Sequence, residues 1–340
     1  MFKRLRYFSV FLLGVILAVA VTYIPLPYYI TKPGLAEDLE PYVQVDGGYK
    51  EKGDLMLVTV SMSRANVINF IIANFNKYHE IYKKEEILQK GESDEQYQFK
   101  QLHLMAESQN AAIYNAYQRA NKPVHFENEG VLVVAVSKGM PAFRELQIGD
   151  KLTAVDGTVL KTADEFINYM KTKAKGEKVE IEYIRNGKKR TAALELQPIE
   201  GAPDRVGIGV QIVTEQKLRV DPKVEIDSHR IGGPSAGMMF TLEIYNQLTK
   251  EDITKGYEIA GTGTINEKGE IGPIGGISQK VVAADEAGAD IFFAPNEQGA
   301  PHSNYKEAVK TAEDINTRMK IIPVDTLDDA LNYLNKLPGK

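Results

Sequence analysis

The sequence contains no cysteine, which excludes a disulfide framework, a thiol nucleophile and a thiolate metal site together. It also has no excess of positive charge: 41 Lys and Arg face 46 Asp and Glu, a formal net charge of −5. That balance supplies no basic field for nucleic acid. Histidines number five, and His79 and His103 show no paired metal-ligand spacing such as H-E-x-x-H. No Gly-Lys pair precedes Ser or Thr, so the P-loop is missing. Neither a metal nor a cofactor is expected.

Long apolar runs are scarce too, with one exception. Lys3, Arg4 and Arg6 precede an uncharged run from Tyr7 to Ile30. Its strongly apolar part, about Tyr7–Leu26, has roughly the 20 residues a helix needs to cross a bilayer. The leading positive charge places residues 1–6 in the cytoplasm and the rest outside. Ala18-Val19-Ala20 offers a competing signal-peptidase site. The apolar run continues past that cut through Val21–Ile24, which favours an anchor. Residues 1–30 are therefore read as a cytoplasmic stub and transmembrane helix, with Pro25, Pro27 and Pro33 marking an extended exit.

At 340 residues, the chain should hold about two domains of roughly 100–200 residues each. Its hydrophobic share of 43% and charged share of 26% are those of globular protein. Residues 35–127 begin with strand-like Tyr42–Val45 and Leu55–Val60, then turn helical and polar from about Asn66 to Lys122. No chemistry can be assigned to them. Residues 128–198 run strand, turn, strand, helix (Ala163–Lys173), then two strands around the hairpin turn Arg185-Asn186-Gly187.

The third region, 203–340, carries the chemistry. Ser235 lies in Gly232-Gly233-Pro234-Ser235-Ala236-Gly237, and Pro273-Ile274-Gly275-Gly276-Ile277-Ser278-Gln279-Lys280 follows, with Lys280 45 positions after the serine. A hydroxyl nucleophile needs a base, and a desolvated lysine loses its charged form and becomes one. Glycines let the backbone approach a carbonyl and leave N–H groups for an oxyanion. Gly233, Pro234 and Ala236 form that turn, and Ser235 and Lys280 are the catalytic pair. Alternating strands and helices give an α+β or α/β domain.

Three competing readings are weaker. Gly233–Gly237 also satisfies G-x-S-x-G, the turn of an α/β-hydrolase esterase. Only His302 follows the serine, and polar Asp227–Arg230 precedes it where a buried strand is required. Ser303-Asn304-Tyr305-Lys306 matches S-x-x-K within a polar stretch without the setting of a nucleophile. A non-catalytic peptide-binding adaptor would need neither Ser235 nor Lys280.

The order of residues 128–198, and Leu-x-x-Gly-Asp-x-Leu-x-x-Val-Asp-Gly from Leu146, resembles a PDZ domain of the bacterial protease type. The resemblance implies capture of peptide C-termini by strand addition, with Glu129, Gly130, Val131 and Leu132 as the carboxylate-binding loop. Gly233–Gly237, Thr262-Gly263 and Pro273–Gly276 with Lys280 and Ala283-Ala284 resemble the proteolytic domain of Lon proteases (peptidase family S16). By that resemblance Ser235 is the nucleophile, Lys280 the general base and Thr262 its support. Gly232 departs from the family, many of whose members carry an acidic residue there. The whole resembles the membrane-anchored, PDZ-containing Lon-type proteases of Gram-positive bacteria. It implies an α+β fold, protein or peptide substrates, an ATP-independent endopeptidase and a membrane location. Oligomeric state stays open, a homo-oligomer included.

Overall fold

Strand β1, Pro25–Asp38, begins inside the run expected to cross the membrane, so residues 25–30 belong to a folded sheet and not to a span. The computed structural model describes Leu12 and residues 24–50, 52–89, 92–199, 202–228 and 231–340. Apart from Leu12 and the last residues from Ile24, the expected span lies outside the described residues. Among those, no helix is long and apolar enough to cross a membrane.

In chain order, β1 is followed by β2 (Val43–Val45), β3 (Asp54–Asn66), α1 (Val67–Phe75), β4 (Glu80–Lys83) and α2 (Asp94–Arg119). Then come β5 (Val124–Val136), β6 (Lys151–Val155), α3 (Ala163–Met170), β7 (Lys178–Arg185), β8 (Lys188–Glu195) and β9 (Val210–Val220). Last are β10 (Val224–Ile226), α4 (Gly237–Leu248), β11 (Glu258–Gly261), α5 (Ile277–Glu286), β12 (Ile291–Pro295), α6 (Asn304–Asp314), β13 (Lys320–Val324) and α7 (Leu327–Lys336).

These elements fall into two compact units. One comprises residues 24–94, 101–121 and 222–340; the other comprises 95–100 and 122–221. In sequence, the second is an insertion into the first. Expected boundaries at 35–127, 128–198 and 203–340 therefore do not coincide with the packing. Residues 35–94 and 101–121 are not a region apart, because their apolar strands complete the sheet of the carboxyl-terminal third.

That sheet has six strands in the order β13-β12-β11-β3-β1-β4. β3, β11, β12 and β13 are parallel, and β1 runs antiparallel to β3 and β4. The central strands read as continuous apolar runs: Leu55–Val58 and all of Ile291–Pro295 are buried, as expected where both faces are covered. On one face Ile277, Val281 and Ala284 of α5 and Ala308 and Ala312 of α6 pack with Met56, Val58, Ala260 and Phe292. β2 pairs with β10, Val45 opposite Val224, a further link between the chain's two ends. Helix α4 is buried almost all round, only Tyr245 being half-exposed.

The inserted unit holds an antiparallel sheet ordered β9-β5-β6-β7-β8, with the short strand Thr158–Val159 beside β6. Alternating inward residues Val179, Ile181 and Tyr183 of β7 and Ala192 and Leu194 of β8 build its core with Phe166 and Met170 of α3. A capping box at Thr162 and Glu165 starts α3. The buried Asp150 carboxylate receives both Nε and Nη2 of Arg185 at 2.7 and 2.6 Å, a bidentate pair that holds the turn before β6.

Candidate active site

Ser235 sits on the turn leading into α4, and helix formation starts at Gly237, two residues after it. The turn is held by contacts that are not local. The Gly233 N–H donates to Gln101 O (2.8 Å), and Ser108 Oγ donates to Pro234 O (2.9 Å). Both partners lie on α2, the polar helix for which the sequence suggested no chemistry. Its Asn115 also donates to Asn266 O (2.8 Å). Gly237 allows this approach: a Cβ there would lie 2.5 Å from Ser108 Oγ and 2.9 Å from Ile265 Cγ2.

Lys280 arrives from the other side of the site. Gly276, with φ of +70°, begins α5 in the left-handed region. Ile277, Lys280, Val281 and Ala284 then recur at helical spacing and are all buried. The lysine therefore occupies a core-facing position among apolar residues, and only 3% of it is exposed. Its Nζ lies 2.8 Å from Ser235 Oγ and 2.8 Å from Thr262 Oγ1. Burial lowers its pKa from 10.5 to about 7. Desolvation is the cause; no neighbouring charge contributes to the shift.

Thr262 follows β11 and is fully buried. Its N–H donates to Phe293 O on β12 (3.1 Å), so the sheet sets its position. Its hydroxyl donates to Ser235 O (3.0 Å), and the Gly263 N–H donates to the same carbonyl (2.8 Å). A hydroxyl has one proton to give, so Thr262 Oγ1 accepts from Lys280. A neutral amine that donates to Thr262 has its lone pair left for the Ser235 hydroxyl. The arrangement can take a proton from Ser235 without a histidine or a carboxylate.

Of the turn residues expected to stabilise an oxyanion, Pro234 has no N–H, and the Gly233 N–H is taken by Gln101 O. Ala236 remains, joined by Ser235 itself. Ser303, in the S-x-x-K match, is buried and caps α6, where the Lys306 N–H donates to its Oγ (3.4 Å). Its role is that of a helix cap.

The expected peptide-binding loop is not an open edge. Gly130, Val131 and Leu132 of β5 pair with Glu215, Thr214 and Val213 of β9, and Val131 and Leu132 also pair with Leu152 and Lys151 of β6. Glu129 meets Lys151 Nζ at 3.2 Å. An interior strand has no free ladder to offer a peptide. β9 is an edge strand, and beside it lies a cavity of about 810 Å³. Phe166, Ile167 and Met170 of α3 and Val210 and Ile212 of β9 line it, with exposed Lys171, Lys175 and Arg205 around it. The glycine-entered run Val206-Gly207-Ile208-Gly209-Val210 was the available signal, and the sequence reading assigned it to the catalytic region.

Two families match separate parts of the chain, and the second of them takes in Val206–Val210. Residues 99–196 match the family described as PDZ domain, and residues 206–336 match the Lon protease (S16) C-terminal proteolytic domain. Lon protease of Campylobacter jejuni subsp. jejuni is 31% identical over 194 residues, 53% of this chain and 22% of its own. That of the Aster yellows witches'-broom phytoplasma is 29% identical over 163 residues, 48% of this chain and 19% of its own. The chain thus spans about a fifth of the length of these relatives. A crystal structure of the PDZ domain of the SdrC-like protein from Listeria monocytogenes is 34% identical, covering 25% of this chain and 87% of that one, with a TM-score of 0.23. The carboxyl-terminal region is a serine peptidase domain of Lon type.

Proposed function

We propose that this chain is a membrane-anchored, ATP-independent serine endopeptidase in which Ser235 is the nucleophile, Lys280 the general base and Thr262 the residue that orients it. The observation that carries the reading is the lysine amine held 2.8 Å from Ser235 Oγ, its pKa lowered to about 7. At an ordinary lysine pKa, about one molecule in 3,000 would hold a neutral amine at pH 7; here about half do. As Ser235 Oγ attacks the scissile carbonyl, its proton moves to Lys280 Nζ. The resulting ammonium gives that proton to the leaving amine, and the acyl ester forms. Water, deprotonated by the same amine, then releases the acid. The Ser235 and Ala236 N–H groups are the donors left for the oxyanion.

Substrates are peptides or unstructured protein segments, because no P-loop powers unfolding within this sequence. Recruitment is assigned to the edge of β9 and the apolar cavity beside it, where a peptide can add a strand. Lys171, Lys175 and Arg205 favour a ligand with a free carboxylate. The apolar run before Pro25, led by Lys3, Arg4 and Arg6, supports a catalytic unit outside the cytoplasm.

The test is hydrolysis of an unfolded protein and a short peptide by the full chain without ATP, compared with Ser235→Ala, Lys280→Ala and the double variant. Each single change should remove nearly all activity, and the double should be scarcely worse, since the pair acts as a unit. Near-normal turnover in folded Lys280→Ala would sink the dyad. A reporter fused after residue 340 should read extracytoplasmic; a cytoplasmic signal would refute the topology.

A further inference from the structure

Helix α1, Val67-Ile68-Asn69-Phe70-Ile71-Ile72-Ala73-Asn74-Phe75, contains no charged residue. Its inner side is accounted for: Phe70 and Ala73 pack with Tyr28, Ile30, Ala65 and Ile81, and the Phe70 and Tyr28 ring centroids lie 5.1 Å apart. Ile68, Ile71, Ile72 and Phe75 lie on the other side. Their spacing of three, four and seven residues makes one continuous ridge, and they are 42%, 53%, 49% and 89% exposed. Surface helices ordinarily turn a polar face to water. A contiguous apolar ridge marks a contact.

The place of the ridge in the fold says what covers it. Asn66, whose side chain caps α1, pairs with Pro25 at the start of β1. Ile24, just before that pair, is 51% exposed. Residues 7–23, directly before Ile24, carry no Asp, Glu, Lys or Arg. The ridge and the point where this apolar run meets the sheet therefore share one end of the β1–β3 ladder. No intervening linker separates that run from β1.

We propose that the exposed ridge of α1 is a second membrane contact, seated in the lipid interface beside the anchor. This inference rests on the membrane-anchored reading above. An uncharged helix face of this kind buries roughly 5–10 Å into the boundary between headgroups and acyl chains. Two contacts fix the tilt of the catalytic unit against the bilayer, where the anchor alone leaves it free to swing.

The sequence has no tryptophan, so one introduced residue reports without background. Full chain carrying Phe75→Trp, or Ile72→Trp as a second probe, is reconstituted into phosphatidylethanolamine–phosphatidylglycerol vesicles with and without lipids brominated near the top of the acyl chain. Emission should shift to the blue and be quenched by the brominated lipid. Tyr49→Trp, beyond the opposite end of a 13-residue strand that spans about 40 Å, should stay water-like and unquenched. Water-like, unquenched emission from both ridge probes in vesicle-bound chain overturns the proposal and leaves the anchor standing. A blue shift without quenching also overturns it, because protein then covers the ridge. Failure of the chain to float with vesicles refutes the anchor and this proposal together.

Discussion

Replacing Lys280 by methionine should abolish hydrolysis and stabilise the fold. The two side chains have similar length and volume, so the buried site accepts the change without overpacking. In the wild type the folded lysine titrates near 7 and the unfolded one near 10.5. Between these values the unfolded chain holds the extra proton, so stability rises with pH across that window and is lost as pH falls toward 7. The shift corresponds to about 5 kcal/mol of destabilisation at and below pH 7. Methionine removes that cost and forfeits the contacts to Ser235 and Thr262, worth about 1 kcal/mol each. Lys280→Met should therefore gain about 3 kcal/mol at pH 7. The gain should shrink by about 2 kcal/mol by pH 9, where the folded wild type is already neutral. Urea unfolding followed by far-ultraviolet circular dichroism at pH 6, 7, 8 and 9 measures both quantities. A variant no more stable than wild type at pH 6 and 7, or a gain independent of pH, would refute the argument that burial neutralises this lysine.

Other consequences follow from individual contacts. In the wild type, kcat/KM should rise with pH along one ionisation near 7 and then level; an inflection near 10 would contradict the lowered pKa. Thr262→Val removes the bonds to Lys280 Nζ and Ser235 O, and kcat should fall roughly thirtyfold, for about 2 kcal/mol, with KM little changed. Steady-state kinetics on a fluorogenic peptide reads that split. Gly237→Ala, ordinarily neutral or favourable at the start of a helix, places a Cβ 2.5 Å from Ser108 Oγ; it should cost about 1–3 kcal/mol in denaturation and most of the activity. Arg205→Glu, at the exposed rim of the cavity beside β9, should weaken a peptide with a free C-terminus up to about fivefold and leave its amide unaffected, as fluorescence anisotropy would show.

The pairing of Ser235 with Lys280 was legible because its signals are local. Glycines 233, 237 and 276 mark points where the backbone must come close or adopt positive φ, and a lone lysine stands at a core-facing position among Ile277, Val281 and Ala284. Thr262 entered only through the family resemblance, because a threonine between an apolar strand and a glycine carries no chemical signal of its own. The hairpin around Asn186-Gly187 and the alternating strands beside it marked the inserted unit, since turn chemistry and side-chain period are written within a few residues.

Only the tertiary structure decided which strand borders which. A run such as Val131–Val136 has the same apolar character whether it is an edge or an interior strand, so the sequence read β5 as an open edge while the fold sets it inside the sheet and β9 at one edge. The join of β3 to β11 links Leu55 to Ile259, across the whole inserted unit, and no local pattern records a partner that far away. Nor does a polar helix announce that Gln101 and Ser108 will brace the Ser235 turn. The lysine's pKa belongs to the same class: desolvation depends on everything packed around Nζ, and the chain assembles that surrounding only when its two ends meet in one sheet.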